Sequence, residues 1–243
     1  MNMVGYLTQH PDGLEGERGL CYDYVLASNG LFIEAEGKRM AARVPVAGCE
    51  VRGLAPLEPK FVLRYGRIPQ RFFDLALSTF LVDTSKERYV AVTWQDGYHL
   101  YVPEQETEEA KVDYQVGDSI ALELHSHGKM SAMFSTKDNK DETGMKLYGV
   151  VGKLDGTPVV QLRVGVYGYF HPVPWVDVFD GYLMGAEDWL ETSLLGIEEK
   201  EVIDDDELYS VLVGQPGSPE NRGGWLRRHW WFCRRGSVPA IDV

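Results

Sequence analysis

Cysteine is scarce in this chain. Cys21, Cys49 and Cys233 are spread over 243 positions, and no CxxC pair occurs. An odd number of widely spaced thiols does not make a disulfide framework, so a reducing, cytoplasmic setting is expected. Positive charge is also in deficit: 24 Lys and Arg face 37 Asp and Glu, a formal net charge of -13. Such a surface repels a polyanion, which argues against nucleic acid as a partner. No apolar run approaches the roughly 20 residues that cross a bilayer as a helix. The opening MNMVGYLTQHPDG has neither the basic start nor the apolar stretch of a secretory leader. A soluble protein with no membrane partner is expected. Several catalytic signatures are missing too: HExxH, the P-loop, GxGxxG and PCxxC. Their absence argues against a zincin, a nucleoside triphosphatase, a Rossmann enzyme and a zinc deaminase.

What is present is enough for a core. Hydrophobic residues make up 44% of the chain and aromatics 12%, which can offset the entropy of ordering. The length suits one elaborated domain or two small ones. Charge is uneven. Residues 104–113 and 198–207 are acidic, while 221–236 (NRGGWLRRHWWFCRRG) carry five arginines and no acid. The acidic runs read as solvated faces or loops.

Three regions are expected. Residues 1–66 read as a small β-rich module of short strands, with Asn29-Gly30 as a hairpin signal. Residues 67–172 read as a mixed α/β domain. Pro69 opens a helix over 69–83 with a broad apolar face (72, 73, 75, 76, 77, 80, 81, 82). RYVAVTW and YHLYVP pair across Gln95-Asp96-Gly97, and SIALELHSH is a further strand. STKDNKDE is a short helix with an S-x-x-D cap, and two more strands surround Asp155-Gly156. Residues 173–243 form a C-terminal extension with helical spacing in AEDWLETSLLGIEEK and DDDELYSVLV, a loop over 214–224 and the Arg/Trp tail.

The chemistry lies in His125-Ser126-His127, followed by Ser135 and Asp138. Strand residues two apart face the same way, so His125 and His127 project together. Asp138, from the next element, can close the set. Two imidazoles and a carboxylate suit Zn²⁺ and leave a fourth position for water, the mark of a catalytic rather than a structural site. The pattern H-x-H, seven residues, Ser, two residues, Asp resembles the JAMM motif of the JAB/MPN metallopeptidase family. The resemblance covers about residues 67–172 and implies an MPN-like (cytidine-deaminase-like) mixed sheet flanked by helices. It also implies zinc held by His125, His127 and Asp138, with Ser135 stabilising the tetrahedral intermediate. An upstream glutamate then handles the proton of the water. Glu87, between the first helix and the next strand, is assigned that role, and Glu123 is its rival. The family usually has Pro after the second His, whereas this chain has Gly128, which suggests a more mobile loop. The segment HSHGKMSAMFSTKDNKDE, with the extra N-terminal module, is most similar to the bacterial JAB-type members of the PRTRC system. That resemblance implies a peptidase or isopeptidase acting beside a ubiquitin-like protein, in company with a ThiF-like activating enzyme.

Other residues carry weaker signals. Asp141 and Glu142 read as helix-surface charges. His10, His99, His171 and His229 lack ligand spacing and read as surface or satisfied histidines. Cys233, before two arginines, has no partner that would make it a nucleophile. The Trp225, Trp230, Trp231 and Phe232 cluster reads as core packing, or else as a cation-aromatic surface. Two other functions stay open beside the peptidase: a non-catalytic MPN-like scaffold that binds a ubiquitin-like or ThiF-like partner, and a hydrolase of small amides.

Overall fold

The computed structural model describes residues 2–103 and 119–194. The acidic runs 104–113 and 198–207, the helical spacing beyond 194, the 214–224 loop, Cys233, His229 and the Arg/Trp tail lie outside the described residues. The fold is mixed α/β, with two mixed sheets and few helices. No described helix is long and apolar enough to cross a membrane.

The N-terminal strands are β1 (Val4–His10), β2 (Gly13–Glu17), β3 (Tyr22–Ala27), β4 (Gly30–Glu36), β5 (Met40–Gly48) and β6 (Lys60–Leu63). They form a sheet of order β2-β1-β3-β4-β5-β6, antiparallel except for β1 beside β3. The Asn29-Gly30 signal marks the β3–β4 turn, where the Asn29 amide also bonds both backbone groups of Leu57. Strand β3 alternates, whereas β4 buries residues on both faces, Phe32 in one cluster and Ile33 and Ala35 in another.

The second sheet is built from β7 (Tyr89–Trp94), β8 (Tyr98–Tyr101), β9 (Ile120–Ser126), β10 (Lys146–Gly152), β11 (Val159–Val166) and β12 (Tyr169–Pro172). Its order is β12-β11-β10-β9-β7-β8, with β9 and β10 parallel. The short β13 (Glu187–Asp188) runs parallel to β11. Helix α1 (Arg71–Leu81) precedes β7, and α2 (Thr136–Asp141) joins β9 to β10. Helices α3 (Trp175–Val178) and α4 (Trp189–Leu194) follow the sheet.

The Asp96-Gly97 hairpin forms as its sequence signals, with Asp96 at a φ of 54°. One hairpin was not expected. Two strands were read around Asp155-Gly156, but a third, β12, turns back at Tyr167-Gly168. Tyr167 has a φ of 50°, rare for a bulky residue, and its ring packs on Tyr22 at 4.9 Å. A tyrosine gives no local warning of such a turn.

The N-terminal sheet has a small buried cluster of its own, Leu7, Val25, Ala27, Phe32 and Leu57, and shares a larger one with the rest of the fold. Ile33, Ala35, Met40, Ala42 and Val44 join α1 and the inner residues of β7, β9, β10 and β11 in one buried cluster. Residues after 173 contribute as well: Trp175, Val178 and Phe179 pack on Phe73 of α1. The apolar face of α1 is narrower than its sequence suggests. Phe72, Phe73, Ala76 and Phe80 are buried, whereas Leu75, Leu81 and Val82 are exposed. Covering one side of the second sheet needs only one stripe of that helix. The other side carries a smaller cluster of Ala132, Phe134, Tyr148, Val150, Val159 and Phe170, and His125 packs on its Phe134.

Candidate metal centre

Strand β9 alternates Leu122 and Leu124 into the main core with Glu123 and His125 on the opposite face. The strand ends at Ser126, so His127 sits one residue beyond it, and hydrogen bonds replace the ladder there. Its backbone N–H donates to Val151 O (2.8 Å), and Met130 N–H donates to His127 O (3.0 Å). Asp138 comes from α2. Ser135 caps that helix: its hydroxyl accepts from Asp138 N–H (3.2 Å), and the Asp138 carboxylate accepts from Ser135 N–H (2.6 Å). The capping box thus fixes the carboxylate of Asp138 on the side facing the histidines.

The three side chains converge. His125 Nε2 lies 3.2 Å from His127 Nε2 and 3.7 Å from Asp138 Oδ1, and His127 Nε2 lies 3.9 Å from Asp138 Oδ2. Among the described residues they are the one group of three that could hold a metal ion. Ligand atoms about 2.0–2.1 Å from a tetrahedral ion are about 3.3 Å apart; here the two imidazoles reach different oxygens of Asp138, and with one atom per residue the set lies within 4.8 Å, so the side chains must draw together around an ion. Donor chemistry agrees. His127 Nδ1 faces Ser131 O at 3.3 Å, and a carbonyl only accepts, so Nδ1 carries a proton and Nε2 is the nitrogen turned toward the cluster. With His127 neutral, His125 Nε2–H can donate to the lone pair of that nitrogen, or both nitrogens can turn bare lone pairs on a cation. Burial opposes ionisation of Asp138, but His125 and the Ser135 N–H and hydroxyl outweigh it and hold the carboxyl well below its usual range. The side chains keep 19%, 11% and 19% of their surface exposed, so the site is partly dried yet reachable from solvent. The two surface concavities, one beside Phe61 and Val176 and one beside Tyr6 and Tyr24, are not lined by these residues.

Glu87 is not in the cluster. It is exposed and lies two residues before β7. The pairing still brings it near. Tyr89 stands opposite His125, and Arg88 is held to Ser126 by two bonds: Ser126 N–H to Arg88 O (2.8 Å) and Arg88 N–H to Ser126 Oγ (3.0 Å). Glu87 precedes Arg88 in the chain and is tied to the site through that neighbour alone. The rival Glu123 is engaged elsewhere, accepting from Lys146 Nζ at 2.6 Å. Ser135 is exposed; its hydroxyl oxygen accepts from Asp138 N–H, and the hydroxyl also stabilises the Asp138 carboxylate.

Two expectations need correction. The Gly128 loop is bound on both sides rather than loose. Gly128 is buried, has a φ of 58° and accepts from Leu154 N–H at 2.9 Å. A Cβ there would meet Thr84 O at 2.4 Å, so the glycine is demanded by a close approach of two backbones. Asp141 is exposed as expected, but Glu142 is no surface charge. It is 8% exposed and pairs with the buried guanidinium of Arg163 through Nε (3.0 Å) and Nη2. Burial pushes the Glu142 carboxyl up to about 7 despite that guanidinium. Sequence reasoning passed over Arg163. Its signal was present: one cation amid the apolar run VVQLRVGV, where a buried charge must find a partner.

His171 is neither a surface nor a satisfied histidine. Its Nδ1 is buried without a hydrogen-bond partner, and burial lowers its pKa. Cys21 is half-buried and Cys49 exposed, both as free thiols. The chain matches no protein-family model, no curated protein and no solved structure.

Proposed function

We propose that His125, His127 and Asp138 hold a zinc ion and that the chain is a JAMM-type metallopeptidase with an MPN-like fold. It cuts a peptide or isopeptide bond beside a ubiquitin-like protein. The observation that carries this reading is the convergence of two imidazoles and one ionised carboxylate, with one ligand atom from each within 4.8 Å of the others. When bound, zinc supplies a Lewis acid and brings the pKa of water toward about 7. Glu87 takes the proton of the attacking water and returns it to the leaving amine. Ser135 turns its O–H from Asp138 to the oxygen of the scissile carbonyl as negative charge develops there. The His127 Nδ1–H to Ser131 O bond keeps the imidazole in its ligating tautomer. Substrate choice, a ubiquitin-like partner supplied by a ThiF-like activating enzyme, rests on the family resemblance alone.

The test is metal content and cleavage together. Protein purified without chelator is expected to carry one zinc per chain by mass spectrometry, lost in the His125→Ala, Asp138→Ala double variant. Glu87→Gln is expected to retain zinc and lose nearly all turnover of a ubiquitin-like fusion. Zinc that survives the double variant sinks the ligand assignment. Full turnover by Glu87→Gln discards the base. A zinc-loaded protein that binds the fusion without cutting it points to the scaffold reading, and one that cuts only small amides points to the third.

A further inference from the structure

The helix that carries Asp138 has little else to hold it. Helix α2 is six residues long and buries none of them. Its capping box fixes the helix start but not its distance from the sheet. That distance depends on β11, two strands away from the histidines. Arg163 there is 2% exposed and lies between the rings of Phe134 and Phe170, 3.6 and 3.8 Å from their centres. The rings fix the plane of the guanidinium. Two of its nitrogens grip Glu142, just past the helix, and the third bonds Asn139 Oδ1 at 2.6 Å. Both partners follow Asp138, Asn139 directly on the helix and Glu142 just past its end. Phe134 also packs edge-on against His125 at 6.1 Å. One buried cation therefore touches the supports of both kinds of ligand.

We propose that Arg163 is a positioning residue for the metal centre, setting the distance between Asp138 and the two imidazoles through Asn139 and Glu142. The proposal rests on the zinc reading above. Arg163 itself touches neither metal ligand nor substrate. Partners behind a ligand typically change metal affinity by about 10–100-fold when removed.

The test measures zinc affinity by chelator competition in the full chain. The Arg163→Met, Glu142→Leu double variant removes both charges together, so no lone charge is left buried and the net charge near the site is unchanged. Its affinity is expected to fall roughly tenfold or more while its thermal midpoint stays near wild type. The same pair of changes in an Asp138→Ala background is expected to cost nothing further, because the ligand it positions is gone. A merely structural role predicts equal losses in both backgrounds. Wild-type affinity in the double variant, or equal losses, overturns the proposal and leaves the zinc reading standing. A wild-type chain that binds no zinc overturns both. Should the double variant fail to fold, Asn139→Ala removes the neutral arm alone. A smaller loss confined to the Asp138 background supports the proposal, and no loss overturns it.

Discussion

Gly128 shows how a single residue can be required by backbone geometry beside a functional side chain. It follows His127, adopts a left-handed φ of 58° and brings its Cα against Thr84 O, in the loop that leads to Glu87. A side chain there meets strain of about 1–3 kcal/mol from the backbone conformation alone, and the 2.4 Å approach to Thr84 O adds to it. Gly128→Ala is therefore expected to lower stability by at least about 1–3 kcal/mol, with Gly128→Pro worse because its φ is fixed near -65°. Urea titration of the two variants checks this, and an unchanged midpoint for Gly128→Ala contradicts it. The proline that the resembled family prefers at this position does not suit this loop.

At the scale of elements, α2 depends on its first turn. A six-residue helix does not persist on propensity alone, and this one has no buried face. Ser135 and Asp138 satisfy each other's backbone N–H groups, so Ser135→Ala is expected to cost about 1 kcal/mol, and Ser135→Thr much less. The check is chemical denaturation of metal-free protein, where ligand binding does not mask the cap. Equal stability of Ser135→Ala and wild type rejects the cap as a support. Both the cap and the ligand pattern were legible in STKDNKDE, since each depends on residues close in sequence. The third hairpin was not, because Tyr167 is held in its turn by Tyr22, far away in the chain.

At the scale of the whole molecule, the two sheets meet, and β12 lies against β5. His171 on β12 is the one titratable group there whose ring nitrogen is buried unpaired. Burial lowers its pKa from the usual value of about 6.5. Below that value the unfolded chain takes up a proton that the folded chain resists. Stability therefore rises with pH from the lowered folded pKa up to about 6.5, and falls on acidification through the same window. His171→Gln is expected to flatten that slope. Urea midpoints of both proteins at pH 7.5 and 5.5 measure it, and identical slopes remove His171 from the account.

Local spacing determined much of this protein. The period of two in β9, the cap of α2, the Asp-Gly turn and the HxH-to-Asp interval are short-range features, and elementary sterics and hydrogen bonding fix what they form. The mixed α/β character follows from them. Tertiary structure alone decided the rest. It joined one face of the N-terminal sheet to α1 and Trp175, turned Leu75 and Leu81 of α1 outward, and made Glu142 a buried partner of Arg163. In each case the deciding interaction joins residues distant in sequence. Burial depends on what covers a face, and no residue carries that information in its immediate neighbours.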